Sequence, residues 1–406
     1  MLAANATIAC YGMGLTQHRY GVETVQLLCN LMLLRGNIGK PGAGLCPVRG
    51  HSNIQGLRTV GIAHKPELVP LDKLAEQYGF APPREKGFDT AEACGALLEG
   101  KVKAFIGMGG NFVRAAPDTE ALETAWRRLR LTVQVATKLN RSHLIHGEVQ
   151  FLLPCIGRIE IDRQASGEQV VTVEDATSCI SASRGQSEPA SEHLLSEPRI
   201  VAELAKAILP VNPKLDWDAW VADYSRIRDA IAITYPDIFH DYNERMWTPG
   251  GFHRYLAARH RKWMTTTGKA NFIEPRSILQ DLMKSSEISG VLQLFTLRSN
   301  DQFNTTIYSY EDRYRGVYGT RKVLLMNFND MQRLKLQEGD TVTVATESDD
   351  GVKRELHDMR ATTFNVPEGC CAGYYPECNP LIPWWHRAQG SNTPAAKSIP
   401  VRVRAA

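Results

Sequence analysis

Long apolar runs are missing from this 406-residue chain: no uncharged apolar stretch approaches the roughly 20 residues a membrane helix needs. The first residues lack a basic region leading into an apolar run and a small-residue cleavage site, so a secretory signal is not expected either. We expect no transmembrane segment and a cytoplasmic location. Charge of one sign is also scarce, because 47 Lys and Arg stand against 44 Asp and Glu for a net +3, interspersed along the chain. That balance leaves no basic footprint for a nucleic acid, and small polar ligands are the class that remains. Nine cysteines occur, yet no two have the CxxC spacing of zinc or iron–sulfur ligands. Most sit in apolar runs and read as reduced, buried thiols. His143 and His146 stand three apart without a third ligand beside them, so no metal-ligating residue is assigned. There is no Gly-x-Ser-x-Gly elbow, HExxH or Walker motif, no internal repeat and no low-complexity tract.

What is present is ordinary globular material, with 43% apolar residues and length enough for two or three domains. "ATIACYGMG" from Ala6 predicts a short strand and loop, and "YGVETVQLLCNLMLLRG" a helix stopped by Gly36. "KVKAFIGMGGNF" reads as a strand ending in a glycine turn, "APDTEALETAWRRL" as a helix with Leu122, Ala125, Trp126 and Leu129 on one face, and Leu131–Ala136 as the next strand. "EVQFLLPC" is a further apolar run. Strand, helix, strand implies a parallel pair joined by a right-handed crossover, so loops 107–111 and 137–143 should open onto one crevice. Residues 181–198 are polar and Pro/Ser-rich and predict an extended loop, followed by helices in "RIVAELAKAIL" and "WDAWVADYSRIRDAIAITY". From about residue 290 the texture changes to short β runs, "VLQLFTLRS", "RKVLLMN", "DTVTVATES" and "KSIPVRVR", with a short helix in "NDMQRLKL". The expected fold class is α/β, parallel-sheet dinucleotide-binding-like domains followed by a C-terminal β-barrel.

Four clusters offer chemistry. "GMGGN" places Gly109, Gly110 and Asn111 where backbone can approach a phosphate, although a tight turn with no ligand is an equal alternative. "TKLNRSH" supplies Lys138, Asn140 and Arg141, a set of cationic and amide donors suited to phosphates and base edges, or else a solvated loop. Between residues 36 and 56, in "GNIGKPGAGLCPVRGHSNIQG", Arg49, His51, Asn53 and Gln55 alternate, and an extended backbone would point all four to one side. On composition alone a surface loop is the stronger reading of that segment. Near the C-terminus Arg298, Asn300, Gln302, Asn304, Asn379, Asn392 and Lys397 gather around barrel strand ends, where amides also serve as plain turns. Cys370, Cys371 and Cys378 are expected to pack at a barrel edge.

The strings "RGNIGKPGAGLCPVRGHSNIQG", "GMGGNF", "TVQVATKLNRSHLIHGEVQFLLPC", "TLRSNDQFNTTIYSYEDRYRGVYG" and "SNTPAAKSIPVRV" together resemble the formate-dehydrogenase-like branch of the molybdopterin oxidoreductases. The resemblance runs over essentially the whole chain. It implies an α subunit with molybdenum or tungsten on two molybdopterin guanine dinucleotides, oxidising or reducing a small formate-like substrate by two electrons. It also implies a barrel of the double-psi type, and a division into residues 1–50 (the end of an α/β domain), 51–288 (an α/β pterin-binding domain) and 289–406 (the barrel). Arg49 and His51 take the place of residues beside the metal, and Gln55 lies next to them. Gly109, Gly110, Asn111, Lys138, Asn140 and Arg141 take the place of dinucleotide contacts, as do Arg298, Gln302, Asn304, Thr305, Asn379, Asn392 and Lys397 from the barrel. The family's metal-ligating cysteine or selenocysteine, its neighbouring histidine and any iron–sulfur ligands lie in an N-terminal region that nothing here matches. The chain is therefore expected to be the C-terminal portion of a longer subunit, without iron–sulfur ligands of its own. Its partner would be that N-terminal part or an electron-transfer subunit. The alternative is a catalytically silent truncated chain that serves as a cofactor-binding or assembly module.

Overall fold

In the computed structural model, residues 3–275 and 290–406 are described. The apolar run at the start forms β1 (Ile8–Tyr11), followed by α1 (Met13–Thr16) and α2 (Gly21–Leu34), which stops before Gly36 at φ 63°. The chain returns as β2 (Gly44–Pro47), parallel to β1 with Cys10 opposite Cys46. The glycine-rich segment is thus not irregular throughout: it contains a strand, too short and Pro-terminated to show a period. Beyond it α3 (Ile54–Thr59) takes Asn53 at its N-cap position and Gln55 inside its first turn. The expected extended alternation therefore ends at Asn53.

Helices α4 (Leu71–Tyr78) and α5 (Thr90–Leu98) precede the central sheet, and α5 opens on a capping box in which Asp89 and Glu92 each accept the other's backbone N–H. Strands β3 (Ala104–Met108), β4 (Leu131–Ala136) and β5 (Val149–Pro154) are all parallel in the order β3-β4-β5. Between β3 and β4 lie α6 (Phe112–Ala115) and α7 (Thr119–Trp126). Phe105 and Phe112 meet the buried Trp126 ring at 4.5 and 5.8 Å between centroids and close one face of the sheet. On the other face Val135 and Leu153 pack against Ile200 and Leu204 of α8 (Glu197–Ile208), while Ile106, Met108, Val149 and Phe151 stand exposed.

Between β5 and the polar stretch lie the hairpin β6 (Arg163–Gln164) and β7 (Gly167–Glu168), then β8 (Val171–Glu174) and β9 (Cys179–Ser183), which form one antiparallel sheet with β10 (Phe252–His253) from beyond the helices. After β9, residues 184–196 run without helix or named strand up to α8, as expected for an extended loop. The next helical stretch is two helices, Trp217–Ala222 and Ser225–Thr234, because the Asp223 carboxylate accepts the Ser225 N–H at 2.9 Å and starts the second one anew.

The C-terminal part closes a barrel from β11 (Leu292–Leu297), β14 (Val323–Met326), β15 (Thr341–Thr346), β16 (Glu355–Thr363), β17 (Cys370–Tyr374) and β18 (Ile399–Ala405), with β12 (Gln302–Phe303) and β13 (Thr306–Ile307) as a hairpin at its mouth. Its order is β11-β17-β14-β16-β15-β18, and Leu292, Leu294, Leu324, Met326, Val342 and Val344 fill the interior. A closed barrel has no edge. Cys370 and Cys371 accordingly lie within it, between β11 and β14, and not at the edge expected for them. The expected domain boundary at 288/289 lies outside the described residues.

Candidate functional site

Two cavities collect most of the chemistry. The first, of about 520 Å³, lies where the segment after β2 faces the barrel, and its walls bring Arg49 and His51 together with Arg298 and Asn304. Arg49 and His51 follow β2 directly and are exposed to this space. Arg298 follows β11, lies 3.9 Å over the Tyr375 ring and leaves its buried Nη1 without a hydrogen-bond partner among the described residues. The Gln17 Oε1 atom on the same wall is likewise buried and unpartnered. Asn304, at φ 52°, is held out by Gln302, whose Nε2 donates to the Asn304 carbonyl at 2.8 Å and whose Oε1 accepts from Arg321 Nη2 at 3.0 Å. Arg321 is buried and clamped on Glu377 at 2.6 Å, which makes the hairpin a fixed part of the wall.

Lys397 stands next to Arg298. Burial, and then the Arg298 charge, pull its ammonium down to about 8 from an ordinary 10.5, and its Nζ donates to the Thr296 carbonyl. Below pH 8 the lysine is charged in both folded and unfolded chains; between about 8 and 10.5 only the unfolded chain keeps the proton. Stability should therefore rise across that window, and Lys397→Met should flatten the rise relative to wild type in urea midpoints measured from pH 8 to 10.5. A phosphate bound beside Lys397 would restore its proton and shrink the same slope.

The second cavity, of about 440 Å³, opens at the carboxyl ends of β3 and β4 and is lined by Gly109 and Thr137 together with Arg158, Glu160 and Arg184. Gly109 and Gly110 turn at φ 68° and 79° with no atom within 4 Å of where a side chain would start. They leave a bare cradle of backbone there. Burial pushes the Glu197 carboxyl up on the far wall, although the Arg158 charge opposes the shift. Arg158 donates from Nη1 to Ser52 Oγ at 2.6 Å, which ties this cavity to the segment carrying Arg49 and His51.

Not every expected contact faces these spaces. Asn111 accepts the Ser142 Oγ–H at 2.5 Å and donates to Thr305 Oγ1 at 3.3 Å; Asn140 donates to the Gly110 carbonyl at 2.8 Å. Both amides join the two loops to each other, and Asn111 and Thr305 join them to the barrel. Asn379, 1% exposed, donates to the Arg114 carbonyl at 2.8 Å, and Asn392 donates to Asp89 Oδ2 at 2.7 Å, so these too stitch the barrel to the helices. Lys138 is exposed and, like Gln55, lines neither cavity, and Arg141 leans on Glu123 at 3.6 Å. Arg158, Arg184 and Arg321 were not singled out in the sequence. An isolated arginine near a strand end carries no local signal of what it will face. Among the described residues no three His, Cys, Asp or Glu side chains cluster as metal ligands, and no helix is long and apolar enough to cross a membrane.

A parallel α/β sheet with a bare glycine cradle, beside a closed barrel that brings in Lys397 and an arginine, Arg298, whose buried Nη1 has no hydrogen-bond partner among the described residues, is the architecture of a protein that holds a dinucleotide-bearing cofactor. Residues 292–400 match the molydopterin dinucleotide binding domain, and the chain is related in part to formate dehydrogenase α subunits and to oxidoreductases of the molybdopterin family. Protein YdeP of Escherichia coli is 46% identical over 403 residues, covering 99% of this chain and 53% of that protein. An uncharacterized oxidoreductase of Mycobacterium tuberculosis is 45% identical over 408 residues, covering 99% and 52%. Formate dehydrogenase H of Escherichia coli is 33% identical over 141 residues, 32% of this chain and 19% of that enzyme. The chain thus spans about half the length of the curated relatives it matches along its whole length. Among solved structures, acetylene hydratase from Pelobacter acetylenicus shares the fold at a TM-score of 0.50 and 13% identity, over 87% of this chain and 50% of that one.

The residues present fit a molybdenum or tungsten pterin cofactor. Its phosphates suit the glycine cradle and Arg158 on the same cavity wall, and its polar edges suit Arg298 Nη1 and Gln17 Oε1, which have no partner among the described residues.

Proposed function

We propose that this chain is the cofactor-binding, C-terminal portion of a cytoplasmic, formate-dehydrogenase-like molybdopterin oxidoreductase α subunit. It would hold molybdenum or tungsten bis-molybdopterin guanine dinucleotide and act on a small anion of the formate type. One juxtaposition supports this reading: Arg49 and His51 from one end of the chain share a cavity wall with Arg298 and Asn304 from the barrel. The bound group would supply two-electron chemistry. The chain's own part is to bind, orient and shield. Gly109, Gly110, Lys138 and Arg158 would hold one dinucleotide at the strand ends, and Arg298, Asn304 and Lys397 would face the cofactor from the barrel. Arg49 would orient the anion by charge-assisted hydrogen bonds, with His51 beside it.

The metal's protein ligand and any iron–sulfur cluster belong, in this proposal, to a companion polypeptide segment. In support, the chain spans about half of its relatives, and the apolar face bearing Ile106, Met108, Val149 and Phe151 is of the kind parallel sheets cover.

Metal analysis for molybdenum and tungsten, with fluorescence of the released oxidised pterin, tests the proposal. Chain purified from a host that makes the cofactor should carry pterin, alone or with the companion segment co-expressed. Absence of pterin in both preparations would overturn it. Pterin without turnover once the companion is supplied would establish the silent binding module instead.

A further inference from the structure

We propose that Cys10 and Cys46 are a dithiol pair that closes reversibly to a disulfide on reaction with a small-molecule disulfide, bridging the two strands at the foot of the first cavity. The two residues face each other in the parallel ladder of β1 and β2. Strands in a ladder run about 4.8 Å apart, and a disulfide needs its Cα atoms between roughly 4.4 and 6.8 Å. Facing residues of a ladder also put their side chains on one side of the sheet, so both thiols point the same way.

Access sets this pair apart from the other thiols. Among the described residues Cys10 is the one exposed cysteine, in contrast to the buried setting expected for most of them. Ile8, two residues earlier and so on the same side of β1, is 55% exposed. Cys46 is partly buried. Burial pushes its thiol up, the Cys10 thiol adds to that through charge and a hydrogen bond, as does the Asp175 charge, and the Arg49 guanidinium pulls it back down. No third His, Cys, Asp or Glu among the described residues completes a metal site with them. A facing pair without further ligands suits the two-electron chemistry of thiol and disulfide.

The exposed thiol is the one an incoming disulfide can reach. The Cys10 thiolate attacks one sulfur of the small-molecule disulfide, whose S–S bond breaks to release one thiolate and leave a mixed disulfide on Cys10. The Cys46 thiolate then attacks the Cys10 sulfur and releases the second small thiolate. The two protons lost by the cysteines end on the two released thiols, and the protein gives up the two electrons that the reagent gains.

The position gives the bridge a consequence. Tyr11, Gly12, Pro47, Val48 and Arg49, which follow the two cysteines along β1 and β2, line the first cavity. A bond between Cys10 and Cys46 fixes the spacing of both strands where they enter that wall. The pairing stands whatever occupies the cavity.

Peptide mapping of the full chain checks the pairing. Trypsin, cutting after Arg19, Arg35 and Arg49 but not before Pro41, leaves Cys10 in residues 1–19, Cys29 in 20–35 and Cys46 in 36–49. When the reduced chain is treated with oxidised glutathione and its remaining thiols are alkylated, 1–19 should be recovered joined to 36–49, with Cys29 alkylated. Dithiothreitol should part the two peptides again. Cys46→Ser should stop at the mixed disulfide, with glutathione on Cys10, and Cys10→Ser should leave Cys46 free to be alkylated. The same treatment in urea should lose the preference, because the strand register that selects it is gone. Full alkylation of Cys10 and Cys46 in the treated wild type, a bridge from either of them to Cys29, or a bridge between two chains would overturn the assignment.

Discussion

Asp118→Ala is expected to destabilise the chain by about 3 kcal/mol, the lower end of what breaking a buried ion pair costs. Asp118 is 5% exposed, at φ 49° ahead of α7, and its carboxylate takes both Nε and Nη2 of Arg354, itself 6% exposed, as well as the Trp384 N–H at 2.8 Å. One side chain thus ties the central sheet's helix to two loops of the barrel. The lower figure applies because Arg354 keeps a second partner, Asp350 Oδ2 at 2.8 Å. The hydrogen bond from Arg354 holds the Asp350 carboxyl well below its ordinary 3.8. A carboxylate shifted down stabilises the folded chain above its unfolded value, and that contribution is lost as pH falls through the folded one. Asp118→Ala lowers stability at every pH while the contribution of the Asp350–Arg354 pair within the barrel still falls away in acid, so acid unfolding followed by circular dichroism should begin at a higher pH than in wild type. Urea denaturation at pH 7 gives the main number. A loss under about 1 kcal/mol would mean that the junction is held by packing, such as Trp384 against α5, and not by the ion pair.

This junction shows what a single sequence can and cannot disclose. Strand β4 is legible to the residue, because six mostly apolar residues follow a helix with a clear buried face. The barrel is legible as a class from four of its strands, but β16 is not. "ELHDMRATT" mixes charges into its pattern because one side of it faces solvent, and only pairing with β14 and β15 makes it a strand. The two-stranded β1–β2 sheet is hidden for the same reason, since four residues of "GLCP" carry no period and their partner is more than thirty residues away. Among site residues the bias runs the other way. Asparagines look like ligand contacts in a sequence, yet Asn111, Asn140, Asn379 and Asn392 use their amides to join loops and domains. Backbone carbonyls at such junctions need donors as much as any cofactor does. Arginines are the opposite case: Arg158 and Arg184 carry no local signal in the sequence and meet at one cavity only through the fold.

Arg49→Ala has the largest expected effect on function. Arg49 follows β2 at the cavity wall, is exposed, and makes no hydrogen bond or ion pair among the described residues, so its removal should change stability by no more than about 0.5 kcal/mol. In the proposed function the Arg49 guanidinium, which shares a cavity of about 520 Å³ with Arg298, would take a small anion by two parallel bonds. In the complete enzyme its loss should lower kcat/KM by about 100- to 1000-fold, the scale found when one donor to a reacting oxygen is deleted. Pterin content, read by fluorescence of the oxidised cofactor, should stay near wild type, because the cradle at Gly109 and Gly110 and the barrel cations are untouched. Arg49→Lys keeps the charge without the fork and should recover only part of the rate. Arg298→Ala supplies the contrast, since its unpartnered Nη1 is buried in the barrel side of the wall: there pterin content should fall together with turnover. If Arg49→Ala loses pterin in the same proportion as rate, the residue belongs with the cofactor contacts. If turnover is unchanged, the anion is oriented by something other than Arg49, and the cavity shared with the barrel is not where the reaction takes place.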